Sequence, residues 1–233
     1  MSNSKFAVGV DGYKGGWIAV IAPEKDFNKA SAILMTDVQN LKKLIPGDAQ
    51  IIVDMPIGLE LNKPHRLCDV QGRQYLGNRR STLFSPPCLS ALNEKSYENA
   101  KEVNKKYTGI AFSKQSWFLK EKILEVRAAV RKGLPLKEGH PECSFGAYKG
   151  KPLANGKKSL KGILERLSYV TELGFNVNKV AQAIDDPEEL KIDDLLDAMI
   201  LCWTAVRIME NRHFSFPKGI REDRNDFDCR IFV

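Results

Sequence analysis

The sequence predicts one α/β domain whose sheet lies mostly in the first quarter of the chain, followed by a largely helical remainder. Three observations carry that expectation. Short apolar runs bounded by turn residues recur up to Asp54, and apolar residues at helical spacing dominate from about position 90 onward. The chain has 233 residues, 43% of them hydrophobic and 28% charged. That balance suits a folded domain with a sizeable core and excludes wholesale disorder.

Residues 6–11 form an apolar run ending in Asp11, and Gly15-Gly16-Trp17-Ile18-Ala19-Val20-Ile21 form a second. Gly12-Tyr13-Lys14-Gly15 between them reads as a tight turn, so the pair is expected to be a β-hairpin. Residues 30–35 supply a third strand. Val38, Leu41, Leu44 and Ile45 then recur at helical spacing behind Asp37, a good N-cap. Ile51-Ile52-Val53-Asp54 is apolar up to its acid, as buried parallel strands are, and Pro56 stops it.

Residues 56–87 read as irregular, rich in turn residues and arginines. Residues 90–132 are expected to be mostly helical, with Trp117, Phe118, Ile123, Leu124, Val126 and Val130 on apolar faces. Trp117-Phe118 reads as core before it reads as a base-stacking platform. A short segment around His140-Pro141-Glu142, a polar loop at 149–159 and a helix near 162–173 follow. Residues 193–209 give the strongest helical pattern, with Leu196, Ile200, Trp203, Val206 and Met209 forming a stripe. The tail, 229–233, reads as an edge strand. One domain over 1–233 with a helical insertion at about 60–135 accounts for this order.

The net charge is +7, and it is unevenly placed. Residues 55–135 hold 15 Lys/Arg against 7 Asp/Glu, while the rest of the chain holds 21 against 22. A basic middle third suits nucleic acid as a partner, and equally a set of solvated helix faces. No stretch reaches the roughly 18 apolar residues of a membrane helix, so no membrane partner is expected. The first apolar run meets Asp11 too soon for a leader peptide. Five cysteines, an odd number without CxxC spacing, read as reduced thiols of a cytoplasmic protein. None is paired with a base, so thiol nucleophilic chemistry is not expected.

Four acidic stations stand out by context. Asp11 and Asp54 end strands, and acids at matching ends of neighbouring strands converge, because strands lie only about 4.8 Å apart. Asp194 and Asp197 are spaced i, i+3 and share a helix face, with Asp193 as the fallback. Glu142 follows a proline in an apolar segment. Hard cations such as Mg²⁺ take several oxygen ligands, and two such ions clamp a phosphodiester for hydrolysis. Each acid alone also has an ordinary structural reading. Asp11-Gly12 can start a turn, Asp54 can cap the chain before Pro56, and Asp193 and Asp194 can complement a helix N-terminus.

Taken together, these residues resemble the ribonuclease H-like fold, and more closely the family of predicted ribonuclease H-fold nucleases catalogued as domain of unknown function 429. The matching text is Val8-Gly9-Val10-Asp11-Gly12 with Gly16-Trp17, Val53-Asp54-Met55-Pro56-Ile57-Gly58-Leu59, and Arg66-Leu67-Cys68-Asp69 with Arg73. It continues with His140-Pro141-Glu142-Cys143-Ser144-Phe145, Lys157-Lys158 ahead of Gly162 and Arg166, and Asp193-Asp194-Leu195-Leu196-Asp197-Ala198. The resemblance implies a mixed five-stranded sheet flanked by helices, with the insertion after the fourth strand. It implies Asp11 bridging two Mg²⁺ or Mn²⁺ ions, Asp54 holding one, Asp194 and Asp197 completing the set, and Glu142 as a further ligand or water-orienting group, a role for which Glu138 competes. Gly139 departs from it, since a strand-favouring residue is expected there.

The function these readings favour is a two-metal nuclease acting on DNA or RNA, with Arg66, Arg73, Arg79 and Arg80 either contacting phosphates or pairing with Asp69 and other local acids. His140, before a proline, reads as structural before it reads as a base. Two rivals remain at this stage. One is a non-catalytic nucleic-acid-binding or scaffold protein of the same fold. The other is an actin- or sugar-kinase-like phosphotransferase, which needs a second Asp-Gly phosphate turn that the chain does not supply.

Overall fold

Alternation along the first strand sets the two faces of the sheet. In the computed structural model, which describes residues 5–23, 26–45, 48–185, 189–220 and 227–233, β1 spans Phe6–Tyr13. Ala7 joins the core on one face, Val8 and Val10 the core on the other, as the period of two requires. Residues 1–4, part of the stretch weighed as a leader, lie outside the described residues.

β2 (Gly16–Pro23) pairs antiparallel with β1, closing the expected hairpin at Tyr13 opposite Gly16. β3 (Ser31–Met35) pairs antiparallel with β2. Asp37 accepts a bond from the Gln39 amide at 2.8 Å and starts a 3₁₀ turn that runs into the single-turn α1 (Leu41–Leu44). β4 (Ala49–Val53) returns parallel to β1.

The text at 56–87 is more regular than expected: α2 (Leu67–Leu76) forms there, followed by a 3₁₀ segment, Gly77–Thr82. A long-range charge pairing organises it. Arg66 reaches forward to Asp69 in the first turn of α2 and across to Glu138. Then come α3 (Leu89–Leu92), α4 (Tyr97–Thr108), α5 (Lys114–Phe118) and α6 (Lys120–Arg131), the expected helical stretch. Trp117 lies among the rings of Tyr97 and Phe112 as core. Phe118 does not: it is 77% exposed.

β5 (Leu136–Glu138) pairs parallel with β4, completing a five-stranded mixed sheet of order β3-β2-β1-β4-β5. His140-Pro141-Glu142 then opens a helix, α7 (Pro141–Lys149), with His140 as N-cap and Pro141 in the first turn. α8 (Leu160–Glu172), α9 (Val177–Gln182) and α10 (Ile192–Met209) follow. The tail strand exists but leaves the main sheet: β7 (Ile231–Phe232) pairs with β6 (Ser215–Phe216) in a separate ribbon, bridged to Gly139.

α10 is buried on nearly all sides rather than along one stripe, and it lies across β1 on the Ala7 face. Gly9 makes that crossing possible, since a Cβ there would stand 2.0 Å from the Ala198 carbonyl oxygen. Gly139 has a similar cause: a Cβ would meet Ile52 Cγ2 at 2.4 Å and Leu201 Cδ2 at 2.8 Å. Packing against α10 therefore excludes the strand-favouring side chain expected there. On the opposite face, Ile123, Val126 and Ala129 of α6 pack against Val8, Val10 and Trp17. Glu125 ties α6 to the sheet by accepting from Trp17 Nε1 at 2.8 Å. Among the described residues no helix is long and apolar enough to cross a membrane.

Candidate functional site

Parallel pairing of β1 with β4 sets Val10 opposite Val53, the end of β4, and the Asp54 amide donates to the Val10 carbonyl at 2.9 Å, while β1 itself runs on through Asp11 to Tyr13. Asp11 and Asp54 thus emerge side by side, at the strand ends where open α/β sheets bind ligands. The loop after Asp54 is pinned from three sides. Glu138 accepts from the Ile57 amide at 2.9 Å, Arg66 donates to the Gly58 carbonyl at 2.9 Å, and Arg127 donates to the Ile57 carbonyl.

The crossing of α10 over Gly9 carries Asp193, Asp194 and Asp197 to the same edge. Asp11, Asp54, Glu142 and these three acids line one cleft of about 450 Å³, together with His140, Lys157 and Lys158. Asp11 and Asp197 are nearly sealed, at 6% and 1% exposure. Asp11 Oδ1 accepts from the Gly12 amide at 2.7 Å. Lys157, from the loop before α8, sits among the acids, its Nζ 2.7 Å from Asp197 and 3.4 Å from Asp193.

The electrostatics follow from burying more acids than bases. Burial pushes the Asp11 carboxyl well above the usual range, and Asp54 and Asp197 push it further. Burial, then Asp197, raises Asp54 to about 7. Burial raises Asp197 to about 6 despite the Lys157 ammonium beside it. Burial also raises Asp194, against the pull of the Lys191 amide. For Lys157, burial disfavours the ammonium, but Asp197 and Asp11 outweigh it and its pKa rises. Two oxygens of the cleft acids, Asp197 Oδ1 and Glu142 Oε2, are buried with no hydrogen-bond partner, a condition that normally marks a missing ligand, ion or water.

The other predicted residues divide by their partners. Asp194 spends one oxygen on its own helix, accepting from the Lys191 amide at 2.9 Å in a capping box. Glu142 faces the cleft but is paired with Arg166, with Arg79 Nε 3.5 Å from its other oxygen. Glu138, the competitor for its role, is gripped by Arg66 at 2.7 and 2.8 Å. Arg66 takes the ion-pair reading: it is 3% exposed, with the buried acids Asp69 and Glu138 as partners. Arg73, Arg79 and Arg80 remain at least partly exposed.

His140 accepts from the Cys143 amide and is pushed down to about 4 by burial, so it is neutral and structural. Burial raises the thiols of Cys68, Cys143 and Cys202, the last to about 12, which keeps them un-ionised. Lys157 and Arg166 are the two residues to which sequence reasoning gave no role, although both lie in the motif text; nothing in their spacing says which acids they meet. Among the described residues, no three His, Cys, Asp or Glu side chains are drawn close enough to form a ready metal-holding group.

A family model described as "Protein of unknown function (DUF429)" matches residues 9–222. No curated protein and no solved structure matches the chain.

Proposed function

Because the chain belongs to the DUF429 family, whose function is unknown, its chemistry has to be read from the acidic cleft, and we propose that it is a Mg²⁺- or Mn²⁺-dependent nuclease of ribonuclease H-like fold, hydrolysing phosphodiester bonds of DNA or RNA. The observation that carries this reading is the convergence of Asp11, Asp54 and Asp197, from three different elements, on one cleft. The sheet order and the late acidic helix support the fold assignment. Five buried cysteines, none of them joined in a disulfide, suit the reducing cytoplasm we infer.

The donor set fits a hard cation. Its ligands are carboxylate oxygens, one of them is buried without a partner, and the cluster is short of positive charge. Asp11, Asp54 and Asp197 would hold the metal, with Asp194 joining once it releases its helix cap; with two ions, Asp11 would be shared. When bound, the metal supplies Lewis-acid stabilisation of charge developing on the phosphate. Lys157, beside Asp197, and Lys158 line the same cleft, where their ammonium groups would meet a phosphate oxygen. Glu142 holds Arg166 in place and acts as a positioning residue.

A panel of single- and double-stranded DNA, RNA, hybrids and branched junctions, incubated with Mg²⁺ or Mn²⁺, tests the proposal. Cleavage of at least one substrate is expected, with its loss in Asp11→Asn and in Asp54→Asn. Cleavage that survives both substitutions would overturn the metal site. Binding without cleavage on every substrate would favour the scaffold reading, and metal-dependent ATP turnover the phosphotransferase.

A further inference from the structure

A second cavity opens beside the acidic cleft, and the two share Ser81 and Phe84. It measures about 430 Å³, within the range of small-ligand pockets. Its charge is mainly positive: Lys63, Arg73 and Arg80 stand against Glu60, while Arg66 is already neutralised by Asp69 and Glu138. Arg73 is held in a set orientation, its Nε donating to the Leu83 carbonyl at 2.9 Å and its Nη2 to Ser85 Oγ at 3.0 Å. Neither Arg73 nor Arg80 has a carboxylate partner among the described residues.

The rest of the lining is mostly small, polar and aliphatic, and two phenyl rings, Phe84 and Phe112, stand in it. Phe112 stands in a ring cluster, 5.7 Å from Tyr97 and 6.4 Å from Trp117 between centroids, which backs the far wall. Phe84 forms the partition with the acidic cleft. Unpaired guanidinium groups suit phosphate oxygens, and aromatic rings suit the face of a base. A cavity for phosphate alone would need no aromatic wall. A paired, stacked duplex presents no separate base to fill one.

We infer that this cavity seats an unpaired nucleotide next to the scissile phosphate, so that the substrate is single-stranded nucleic acid. The inference rests on the nuclease reading for the neighbouring cleft. Arg73 and Arg80 each hold one flanking phosphate, while the base lies between Phe84 and Phe112.

Equilibrium binding tests this in EDTA, where no cleavage occurs, by fluorescence anisotropy of labelled single-stranded DNA, single-stranded RNA and blunt duplex. Single strands are expected to bind at least ~10-fold more tightly than duplex. Arg73→Gln combined with Arg80→Gln is expected to lower single-strand affinity ~10-fold and to reduce the log–log salt slope by about 1.4, for two phosphate contacts. Arg80 is exposed, so Arg80→Gln alone is expected to give part of the loss with an unchanged denaturation midpoint. Equal affinity for single strand and duplex, or affinity unmoved in both variants, would overturn the inference. Cleavage of the same oligonucleotides is scored separately with Mn²⁺. Arginine-dependent single-strand binding without cleavage would sink the nuclease reading and leave the cavity's ligand standing. Cleavage of duplex indifferent to both arginines would do the reverse. The DNA and RNA arms identify the sugar.

Discussion

Glu142 and Arg166 are both buried and bonded to each other, so neither is free to act alone. Removing one partner of a buried pair leaves an uncompensated charge and costs about 3 kcal/mol or more. Glu142→Gln is therefore expected to lower the urea midpoint substantially, whatever it does to activity; a midpoint unchanged from wild type would show that the pair is not holding α7 to α8. The cleft acids behave oppositely. Folding raises Asp54 to about 7 and Asp197 to about 6, against about 3.9 in an unfolded chain. The fold thus favours their neutral forms, and the stabilisation present below about pH 4 is lost as pH rises through 6 and 7. Chemical denaturation in EDTA is expected to show stability falling from about pH 5 to about pH 8, with a shallower fall in Asp54→Asn. A flat wild-type profile would contradict the burial of these acids.

At the scale of elements, the site depends on how closely α10 approaches β1. Gly9 sets that distance, because a Cβ would lie 2.0 Å from the Ala198 carbonyl oxygen and 2.2 Å from the Cys202 nitrogen. Gly9→Ala forces helix and strand apart, and overpacking of this kind costs about 1–3 kcal/mol. The same separation moves Asp197 away from Asp11. Gly9→Ala is therefore expected to weaken Mn²⁺ binding measured by calorimetry as well as to lower stability. Lost stability with undiminished Mn²⁺ affinity would show that the crossing does not position the site. The helical segment between β4 and β5 is fastened more locally, through Glu125 to Trp17 and to the Val38 amide.

For the molecule as a whole, a cation bound only by the folded state stabilises it by mass action, by about 2.7 kcal/mol at 100 times the dissociation constant. Thermal melts are expected to rise with Mn²⁺ and, above the dissociation constant, to go on rising with the logarithm of its concentration, with no such rise in Asp11→Asn or Asp54→Asn. A rise of equal size in those variants would place the cation elsewhere.

The hairpin, the parallel β4 and the long final helix were legible because each is a local pattern: alternation over 6–11, an apolar run at 51–53, a helical period over 193–209. So was the convergence of Asp11 with Asp54, since each acid directly follows an apolar run and the two runs pair in parallel. The helix α2 was not legible, because a charge 72 residues away, Glu138, helps to organise it through Arg66. Gly139 looked out of place until α10 was seen to lie against it. The partition of the acids had the same character. Asp197 meets Lys157 across 40 residues and Glu142 meets Arg166 across 24. The sequence by itself determined the strands, the two faces of the sheet and the edge at which the acids gather, because those follow from periodicity and chain direction. Only the tertiary structure decided which acids stay open to a ligand and which are tied up by buried cations, because each pairing depends on side chains that folding alone brings within bonding distance.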